Sequence, residues 1–212
     1  MSRHNKKIKL VAFDLDGVLV DSKGSWREVH EALGTAKKAE PHERLFYDGK
    51  ISFDEWADLD TRLWAGTPIG RIKEILYEIR PMRGITYTLS RLRKEYKLVI
   101  ISGGLQILAD KIKDDHKMHH AVGNEILTNK GKVCGIKKVV GFEDKDKFLK
   151  KFAEEEGITT DECAAVGDYL NDIPMFKEAG LAIAFNPKHA DVVEHVDEIV
   201  YEKNLIKILE FL

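Results

Sequence analysis

The sequence predicts an α/β fold, with a parallel sheet as the core and a helical segment inserted after the first strand. Short apolar runs recur along the chain, and several end in Gly, Asp or Ser before a helical pattern begins. Strands that alternate with helices indicate βαβ units, and nearly continuous apolar strands are typical of a sheet covered on both faces. The predicted strands lie in residues 8–13, 96–102, 163–167, 180–185 and 197–201.

A second observation concerns residues 21–81, which contain no convincing strand and hold all three tryptophans of the chain. Ser52 and Glu55 form a capping-box signature, which predicts the start of a helix whose apolar residues recur on one face. We interpret this span as an all-helical cap and expect its tryptophans to pack in its interior. The predicted core then comprises residues 1–20 and 82–212.

Composition and charge exclude several classes of function. Hydrophobic residues make up 43% of the 212 residues, which is enough for a sizeable core. The net charge of −2 argues against a broad nucleic-acid or anionic-membrane surface, and no stretch approaches the roughly 18 apolar residues of a membrane span. No apolar signal segment precedes the first strand, and the two cysteines lie far apart outside any CxxC pattern, so we predict a cytoplasmic protein without a disulfide. The sequence does not indicate an oligomeric state.

Two aspartates, one residue apart, follow the first predicted strand. Alternate residues of a strand face the same way, so Asp14 and Asp16 are expected to point together. Two ionised carboxylates that close repel each other, and one would take up a proton unless a cation neutralised them. Gly17 fits a chain that turns sharply beyond them.

A second pair of aspartates follows another apolar strand. Asp168 comes directly after residues 163–167, and Asp172 lies about one helical turn later. Because the ends of parallel strands meet at one edge of a sheet, these strands are expected to bring three or four carboxylates together there. Carboxylate oxygens suit Mg²⁺ rather than zinc. The alternative is that these acids are solvated loop residues that cap helices.

Two further elements suit a phosphate group. Ser102 ends an apolar strand, and Gly103 and Gly104 precede a helical pattern, so backbone N–H groups could approach a phosphate closely at a helix N-terminus. Lys145 stands at the predicted start of a highly charged helix. A Gly-Gly turn also occurs in ordinary loops, and a lysine in such a helix is usually solvated, so neither element indicates a phosphate site by itself.

Together the four elements resemble the haloacid dehalogenase (HAD) superfamily of phosphohydrolases and, within it, the phosphoserine phosphatases. The resemblance is carried by DxDG at residues 14–17, the turn at 102–104, Lys145 and GDYLND at 167–172, in this order, and it spans about residues 8–187. The helical insertion sits where that subgroup carries its cap. The resemblance implies a Rossmann-like parallel sheet core, a bound Mg²⁺ ion and hydrolysis of a small phosphorylated metabolite through an aspartyl-phosphate intermediate.

The resemblance also implies a role for each matched residue. Asp14 would attack phosphorus, and Asp16 would protonate the departing alkoxide and later take a proton from water. The implied ligands of Mg²⁺ are Asp14, the backbone carbonyl of Asp16, Asp168 and, in a supporting position, Asp172. The implied substrate-binding residues of the core are Ser102, Gly103, Lys145 and Asn171.

The sequence departs from the phosphoserine phosphatases where that subgroup binds the rest of its substrate. Where the subgroup has an early cap glutamate that binds the substrate amine, an ungapped count from Asp14 finds Lys23. Where it has a later cap arginine that binds the carboxylate, this chain has Asp60, with Arg62 two residues further on. Glu28 and Arg62 would restore the match if the cap contained a gap. Without one, Lys23 and Arg62 would bind a more anionic substrate, such as a carboxylated or bisphosphorylated metabolite.

Two other functions are compatible with these motifs. A phosphotransferase of the same fold would pass the phosphoryl group to a second alcohol instead of water. A phospho-accepting signalling domain also uses Mg²⁺ and an aspartate, but it has little use for Asp16 or for a cap. The histidine cluster at residues 116–120 lacks the cysteine or acidic pattern of a transition-metal site, and His30 and His42 are expected at the cap surface.

Overall fold

The computed structural model describes residues 7–212, so residues 1–6 of the predicted core lie outside the described part. Within it, seven strands form one sheet: β1 (Leu10–Phe13), β2 (Lys97–Leu105), β3 (His120–Asn129), β4 (Lys132–Lys137), β5 (Cys163–Gly167), β6 (Leu181–Phe185) and β7 (Glu198–Val200). Their order is β4-β3-β2-β1-β5-β6-β7, and every neighbouring pair is parallel except β3 and β4. The predicted α/β fold with a parallel sheet core is confirmed.

Helices fill the predicted cap segment and flank the sheet. Those between residues 21 and 81 are α1 (Ser25–Ala32), α2 (Ala36–Tyr47), α3 (Phe53–Leu63) and α4 (Ile69–Tyr77). Those that follow are α5 (Ile85–Leu92), α6 (Gln106–His116), α7 (Lys145–Glu155), α8 (Ile173–Glu178) and α9 (Ala190–Val193). The domain boundaries at residues 21 and 81 stay a prediction. Within residues 7–212, no helix has the length and apolar character needed to cross a membrane, and the cytoplasmic location stays a prediction.

The register of the sheet brings the polar ends of three strands to one edge. Phe13, the last residue of β1, pairs with Ile100 of β2 and with Val166 of β5. All of β1 is buried, because it lies in the middle of the sheet and both of its faces are covered. Asp14, Ser102 and Asp168 lie one or two residues beyond these paired positions and therefore reach the same edge.

The two faces of the sheet have separate apolar clusters. Val11 and Phe13 belong to one cluster and Leu10 and Ala12 to the other, as the alternation of side chains along a strand requires. The first cluster continues into the cap segment through the fully buried Trp64. Each fully buried Leu, Ile or Phe of such a cluster contributes about 1.5–3 kcal/mol, so one continuous set of apolar contacts holds the cap segment on the sheet.

The start of α3 follows the predicted capping box. Ser52 Oγ accepts a hydrogen bond from the Glu55 N–H at 3.2 Å, and the Glu55 carboxylate accepts one from the Ser52 N–H at 2.8 Å. Beyond the end of α3, the Gly66 N–H donates to the Val133 carbonyl of β4 at 2.9 Å. The hairpin of β3 and β4 therefore ties the middle of the cap segment to the sheet.

The segment at residues 102–104 differs from the prediction. Strand β2 continues through both glycines to Leu105 with an irregular register, and α6 begins only at Gln106. The predicted Gly-Gly turn at a helix N-terminus is therefore wrong. The physical reason is the neighbouring strand, because Leu105 pairs with Asn124 of β3 and the ladder therefore continues beyond both glycines.

Candidate active site

Asp14 lies at the centre of the carboxyl edge of the sheet. It follows β1 directly, its N–H donates to the Val166 carbonyl of β5 at 2.8 Å, and only 5% of the residue is exposed. Its Oδ1 accepts a hydrogen bond from Lys145 Nζ at 2.6 Å, whereas Oδ2 accepts none from the residues that the structure describes. The carboxylate is thus fixed through one oxygen and free at the other.

Lys145 is completely buried although its helix is rich in charge. It is the first residue of α7, and it lies on the same face as the buried Leu149 and Phe152. Its ammonium group is 2.6 Å from Asp14 Oδ1 and 2.6 Å from Asp172 Oδ1, so two carboxylates compensate the buried cation. The apolar stripe is a sequence signal that distinguishes Lys145 from the solvated lysines around it.

Asp168 and Asp172 lie on the loop after β5 and have different surroundings. Asp172 Oδ2 accepts hydrogen bonds from the N–H groups of Asp168 at 2.8 Å and Tyr169 at 3.0 Å. With Lys145 on Oδ1, both oxygens of Asp172 are engaged, and this carboxylate fixes the shape of the loop. Asp168 Oδ2 lies 2.6 Å from Lys188 Nζ.

Asp16 lies in the turn beyond β1. Its Oδ2 accepts a hydrogen bond from Ser25 Oγ at 2.9 Å, whereas Oδ1 is buried and has no partner among the described residues. Gly17 has a φ of +89°, and a Cβ atom there would collide with the Asp168 carboxylate. Both the turn and the close approach of the two loops therefore require glycine at this position.

Burial makes the carboxyl groups of Asp14, Asp16 and Asp168 harder to ionise. Burial raises the pKa of Asp14 to about 7; Lys145 opposes this effect, whereas Asp172 and Asp16 add to it. Burial likewise raises the pKa of Asp16 and of Asp168. Burial alone would lower the pKa of Lys145, but Asp14 and Asp172 outweigh it and hold that pKa above its usual value. A divalent cation in the cluster would favour the ionised carboxylates.

Three of these carboxylates are close enough to share a cation. Oxygens of Asp14, Asp168 and Asp172 lie within 4.8 Å of one another, and all three residues are buried. The cluster offers oxygen ligands alone, and the unpaired Oδ1 of Asp16 lies buried beside it. Hard divalent cations such as Mg²⁺ prefer ligands of this kind, whereas zinc prefers nitrogen and sulfur. The residues present therefore fit the predicted class of metal ion.

The segment at residues 102–104 runs past the same edge. The Ser102 side chain is buried, and the Asn124 amide donates to the Gly103 carbonyl at 2.8 Å. A Cβ atom on Gly103 would lie 3.4 Å from Asn171 Nδ2, so the Asn171 amide flanks this segment. The structure therefore brings Ser102, Gly103 and Asn171 to the edge that carries the carboxylates, and their contacts with a substrate stay a prediction.

Comparison with known proteins identifies the family. A family model described as haloacid dehalogenase-like hydrolase matches residues 8–180. The chain belongs to the haloacid dehalogenase-like hydrolase family. The resemblance found in the sequence is confirmed, and the matched residues include Asp14, Lys145 and Asp168.

Curated relatives of this hydrolase include phosphoserine phosphatases. That of Methanocaldococcus jannaschii is 31% identical over 210 residues, which cover 98% of this chain and 99% of the relative. That of Lactococcus lactis subsp. lactis is 31% identical over 214 residues, which cover 95% and 94%. A solved structure described as a phospho-aspartyl intermediate analogue of phosphoserine phosphatase has 31% identity and a TM-score of 0.87, covering 98% of this chain and 100% of its own. The hydrolase is therefore phosphoserine phosphatase-like in sequence and fold.

The cap residues predicted to bind substrate are exposed. Lys23 lies before α1 and Arg62 in the last turn of α3, and neither side chain has a hydrogen bond or ion pair with a described residue. Glu28, which a gap in the cap would place at the amine-binding position, accepts a hydrogen bond from Ser22 Oγ at 3.0 Å. The structure does not bring Lys23 or Arg62 into hydrogen-bonding contact with the carboxylates, and their role in substrate binding stays a prediction.

Asp60, at the position of the subgroup's arginine, is buried inside the cap with 3% exposure. Its Oδ1 lies 2.7 Å from His42 Nδ1 and its Oδ2 lies 3.2 Å from His30 Nε2. The Trp64 indole donates to His30 Nδ1 at 3.0 Å. The prediction of His30 at the cap surface is wrong, because these polar partners allow the ring to be buried. His42 is half-buried.

Sequence reasoning missed Lys188 and Ser25. Lys188 follows β6 at the same edge; its N–H donates to the Asp168 carbonyl at 2.9 Å, and its ammonium lies 2.6 Å from the Asp168 carboxylate. A basic residue soon after an apolar parallel strand is the signal that could have found it. Ser25 has no comparable signal, because it reaches Asp16 from the cap.

Proposed function

We propose that this hydrolase cleaves phosphomonoesters of small metabolites, with Asp14 as the nucleophile. The observation that carries the proposal is the buried Asp14 carboxylate, which Lys145 holds through Oδ1 at 2.6 Å and whose Oδ2 has no described hydrogen bond. That oxygen is available to attack phosphorus. The similar structure described as a phospho-aspartyl intermediate analogue of phosphoserine phosphatase supports the same use of an aspartate here.

The proposed reaction has two steps that share the first two aspartates. In the first step, an Asp14 oxygen bonds to phosphorus as the P–O bond to the alcohol breaks, and Asp16 gives its proton to the departing alkoxide. In the second step, a water oxygen attacks the phosphorus of the aspartyl-phosphate, and Asp16 takes a proton from that water. Orthophosphate leaves, and the Asp14 carboxylate is restored. The net reaction consumes one water and yields the alcohol and phosphate.

The acidic cluster is expected to hold the cation that this chemistry needs. Mg²⁺ would be held by Asp14, the backbone carbonyl of Asp16 and Asp168, while Asp172 supports the loop through its hydrogen bonds. When bound, the ion neutralises charge and lets an anionic nucleophile approach an anionic phosphate. Lys145, between Asp14 and Asp172, supplies a further positive charge at the same place.

The phosphoryl oxygens are expected to face Lys145 and the end of β2. Fixed donors aimed at the developing charge stabilise the transition state, and the loss of one typically costs about 10²–10³-fold in rate. Burial holds Ser102 and Lys145 in place, and Asn171 flanks the Gly103 backbone. The proposed donors are the Ser102 hydroxyl, the Gly103 N–H, the Lys145 ammonium group and the Asn171 amide.

Phosphoserine is the first substrate to test, because curated relatives of the chain are phosphoserine phosphatases. The cap residues favour a second candidate, a more anionic phosphomonoester. Asp60 stands where the subgroup has an arginine, and it is buried beside His42 and His30. This position therefore provides no positive charge for a substrate carboxylate. Lys23 and Arg62 are the exposed cations at or near the two positions that differ from the subgroup. A carboxylated or bisphosphorylated metabolite would match their charge.

The test is phosphate release, with Mg²⁺, from a panel of phosphomonoesters that includes phosphoserine. A nucleophile acts together with the other catalytic groups, so its loss removes most of the rate enhancement. Asp14→Asn should therefore lower the rate of phosphate release by about 10⁴-fold or more. Asp21→Asn is the matched control, since Asp21 is an exposed residue paired with Lys203, and it should keep the wild-type rate. The proposal would be refuted if the wild type hydrolysed none of the esters, or if the Asp14→Asn variant stayed active.

Two further measurements separate this function from its alternatives. Added acceptor alcohols should leave orthophosphate as the product, whereas a new phosphate ester would identify a phosphotransferase. A phospho-accepting signalling domain would take up one phosphoryl group on Asp14 without repeated turnover.

A further inference from the structure

Helix α1 of the cap begins directly against the catalytic loop of the core. Its first residue, Ser25, is completely buried. The Ser25 hydroxyl donates a hydrogen bond to Asp16 Oδ2 at 2.9 Å and accepts one from the Leu105 N–H at 3.1 Å. One side chain of the cap therefore joins the proposed acid of the reaction to the end of β2.

The space around this hydrogen bond is tightly packed. A Cβ atom on Gly104 would lie 2.5 Å from Asp16 Oδ2, 2.6 Å from Ser25 Oγ and 3.0 Å from Ser102 Oγ. These three oxygens occupy the space that a side chain at position 104 would need, so the position requires glycine. Within this close packing, the hydrogen bond from Ser25 orients Asp16.

The other oxygen of this carboxylate, Asp16 Oδ1, is buried and has no hydrogen-bond partner among the described residues. Buried polar atoms in native proteins are nearly always paired, so an unpaired one at a candidate active site is the atom expected to meet a ligand. The hydroxyl of Ser25 has a single proton, which Oδ2 already receives. Oδ1 is therefore the oxygen that is left for the ester.

We propose that Ser25 is a positioning residue that orients Asp16, so that Oδ1 faces the leaving oxygen of the ester. The inference rests on the proposed phosphomonoesterase function. In the first step, the proton moves from Asp16 to the alkoxide as the P–O bond breaks, while Ser25 keeps its own proton and donates to Oδ2. Because Ser25 is the first residue of α1, the orientation of Asp16 depends on the docking of the cap.

Trp26 provides a matched control on the same turn of α1. Its indole N–H donates to the Gly103 carbonyl at 3.1 Å, so it anchors the cap to β2 without a hydrogen bond to Asp16. Trp26→Phe removes this donor and leaves the bond between Ser25 and Asp16 in place. A comparison of the two variants distinguishes the effect of a misoriented Asp16 from the effect of a loosened helix α1.

The experiment compares two leaving groups at saturating Mg²⁺. The alkyl ester that the wild type hydrolyses fastest needs a proton on its alkoxide, whereas 2,4-dinitrophenolate leaves 2,4-dinitrophenyl phosphate without one. Single-turnover rates of alcohol and phenolate release are measured for each protein. A well-placed general acid contributes about 10²–10⁴-fold, so Ser25→Ala should lower the alkyl rate by about 30-fold or more and the aryl rate by less than about threefold.

The ratio of the alkyl rate to the aryl rate is the decisive quantity. Both rates come from the same folded fraction, so partial unfolding of a variant does not change their ratio. Ser25→Cys keeps the shape of the side chain but replaces the hydroxyl with a slightly larger thiol, which is a weak donor, and it should shift the ratio in the same direction as Ser25→Ala. Trp26→Phe should lower both rates together and keep the wild-type ratio.

Three outcomes would overturn the inference. A wild-type ratio in Ser25→Ala and Ser25→Cys would refute the role of Ser25 and leave the phosphomonoesterase function intact. A ratio in Trp26→Phe as low as that of Ser25→Ala would refute it too, because any loosening of α1 would then suffice. A wild type that hydrolyses neither ester would refute the proposed function itself and the role of Ser25 with it.

Discussion

The carboxyl edge of the sheet and the helical cap each bury an aspartate beside basic side chains, but the two aspartates differ in how many of their oxygens have a basic partner. In the cap, each oxygen of Asp60 has a histidine nitrogen nearby, at 2.7 Å from His42 and 3.2 Å from His30. At the sheet edge, Lys145 donates a hydrogen bond to one oxygen of Asp14, and the other oxygen has no hydrogen bond with a described residue. Both oxygens of Asp60 therefore have a basic group nearby, whereas the Asp14 carboxylate has such a group at one oxygen only.

We infer from this difference that Asp60 serves the stability of the fold, whereas Asp14 is available for chemistry. Asp60 on α3 meets His30 of α1 and His42 of α2, so its charge ties three cap helices together. The aspartates of the edge come from loops after strands, and a cation would complete their coordination. In this chain, a buried carboxylate oxygen without a partner is the feature that marks the candidate site.

Among the variants that test this comparison, the largest effect is expected from replacing Lys145 at the sheet edge. Lys145→Met should lower the rate of phosphate release by about 10²–10³-fold, because the variant loses a proposed donor and leaves Asp14 and Asp172 to repel each other. Lys147→Met, at an exposed lysine of the same helix, should keep the wild-type rate. Steady-state assays of phosphate release measure both variants. A decrease in the Lys145→Met rate of less than about tenfold would contradict the role given to Lys145.

The corresponding change in the cap should affect stability rather than chemistry. Asp60→Ala leaves the buried His30 without its acidic neighbour, which should lower the free energy of unfolding by about 2–3 kcal/mol. Asp58→Ala, on the same helix but in a partly exposed ion pair with Lys138, should cost about 1 kcal/mol or less. Urea unfolding measures both. A raised KM at unchanged stability in Asp60→Ala would show that the cap cluster contacts substrate, and the comparison would fail.

A smaller effect is expected from the exposed cations of the cap. The double variant Lys23→Ala, Arg62→Ala should raise the KM for a carboxylated or bisphosphorylated ester about tenfold, which corresponds to about 1.4 kcal/mol, while kcat changes little. Lys37→Ala, Arg71→Ala removes two other exposed charges of the cap and serves as the control. Undiminished activity of the Lys23 and Arg62 variant on anionic esters would argue against this choice of substrate.

The smallest effect concerns the start of a cap helix. Ser52→Ala removes the acceptor for the Glu55 N–H, and the loss of such an N-cap typically costs about 1 kcal/mol. Ser90→Ala, at an exposed serine that donates to the Tyr87 carbonyl, should change the free energy of unfolding by less than half of that. Thermal unfolding compares the two variants, and equal stabilities would mean that the capping box contributes nothing to the cap.

Short-range rules made the sheet and its acidic edge predictable. An apolar run followed by Asp14 or Asp168 is typical of a strand end, and parallel strands bring such ends to one edge. The capping box at Ser52 depends on a residue only three positions away. The end of β2 was not predictable in this way, because the pairing of Leu105 with Asn124 of the neighbouring strand β3 keeps two glycines in the strand where their sequence suggested a turn.

The sequence by itself determined which residues follow the strands and that the span after β1 is helical, because strand alternation and helix capping act over a few positions. Only the tertiary structure decided which buried charges are paired. Lys145 and Asp14 are 131 positions apart, and Ser25 reaches Leu105 across 80. A buried charge must be compensated by whatever group the packing places beside it, and that neighbour comes from a distant segment of the chain. The buried oxygen of Asp16 that has no partner among the described residues is therefore a property of the folded molecule alone.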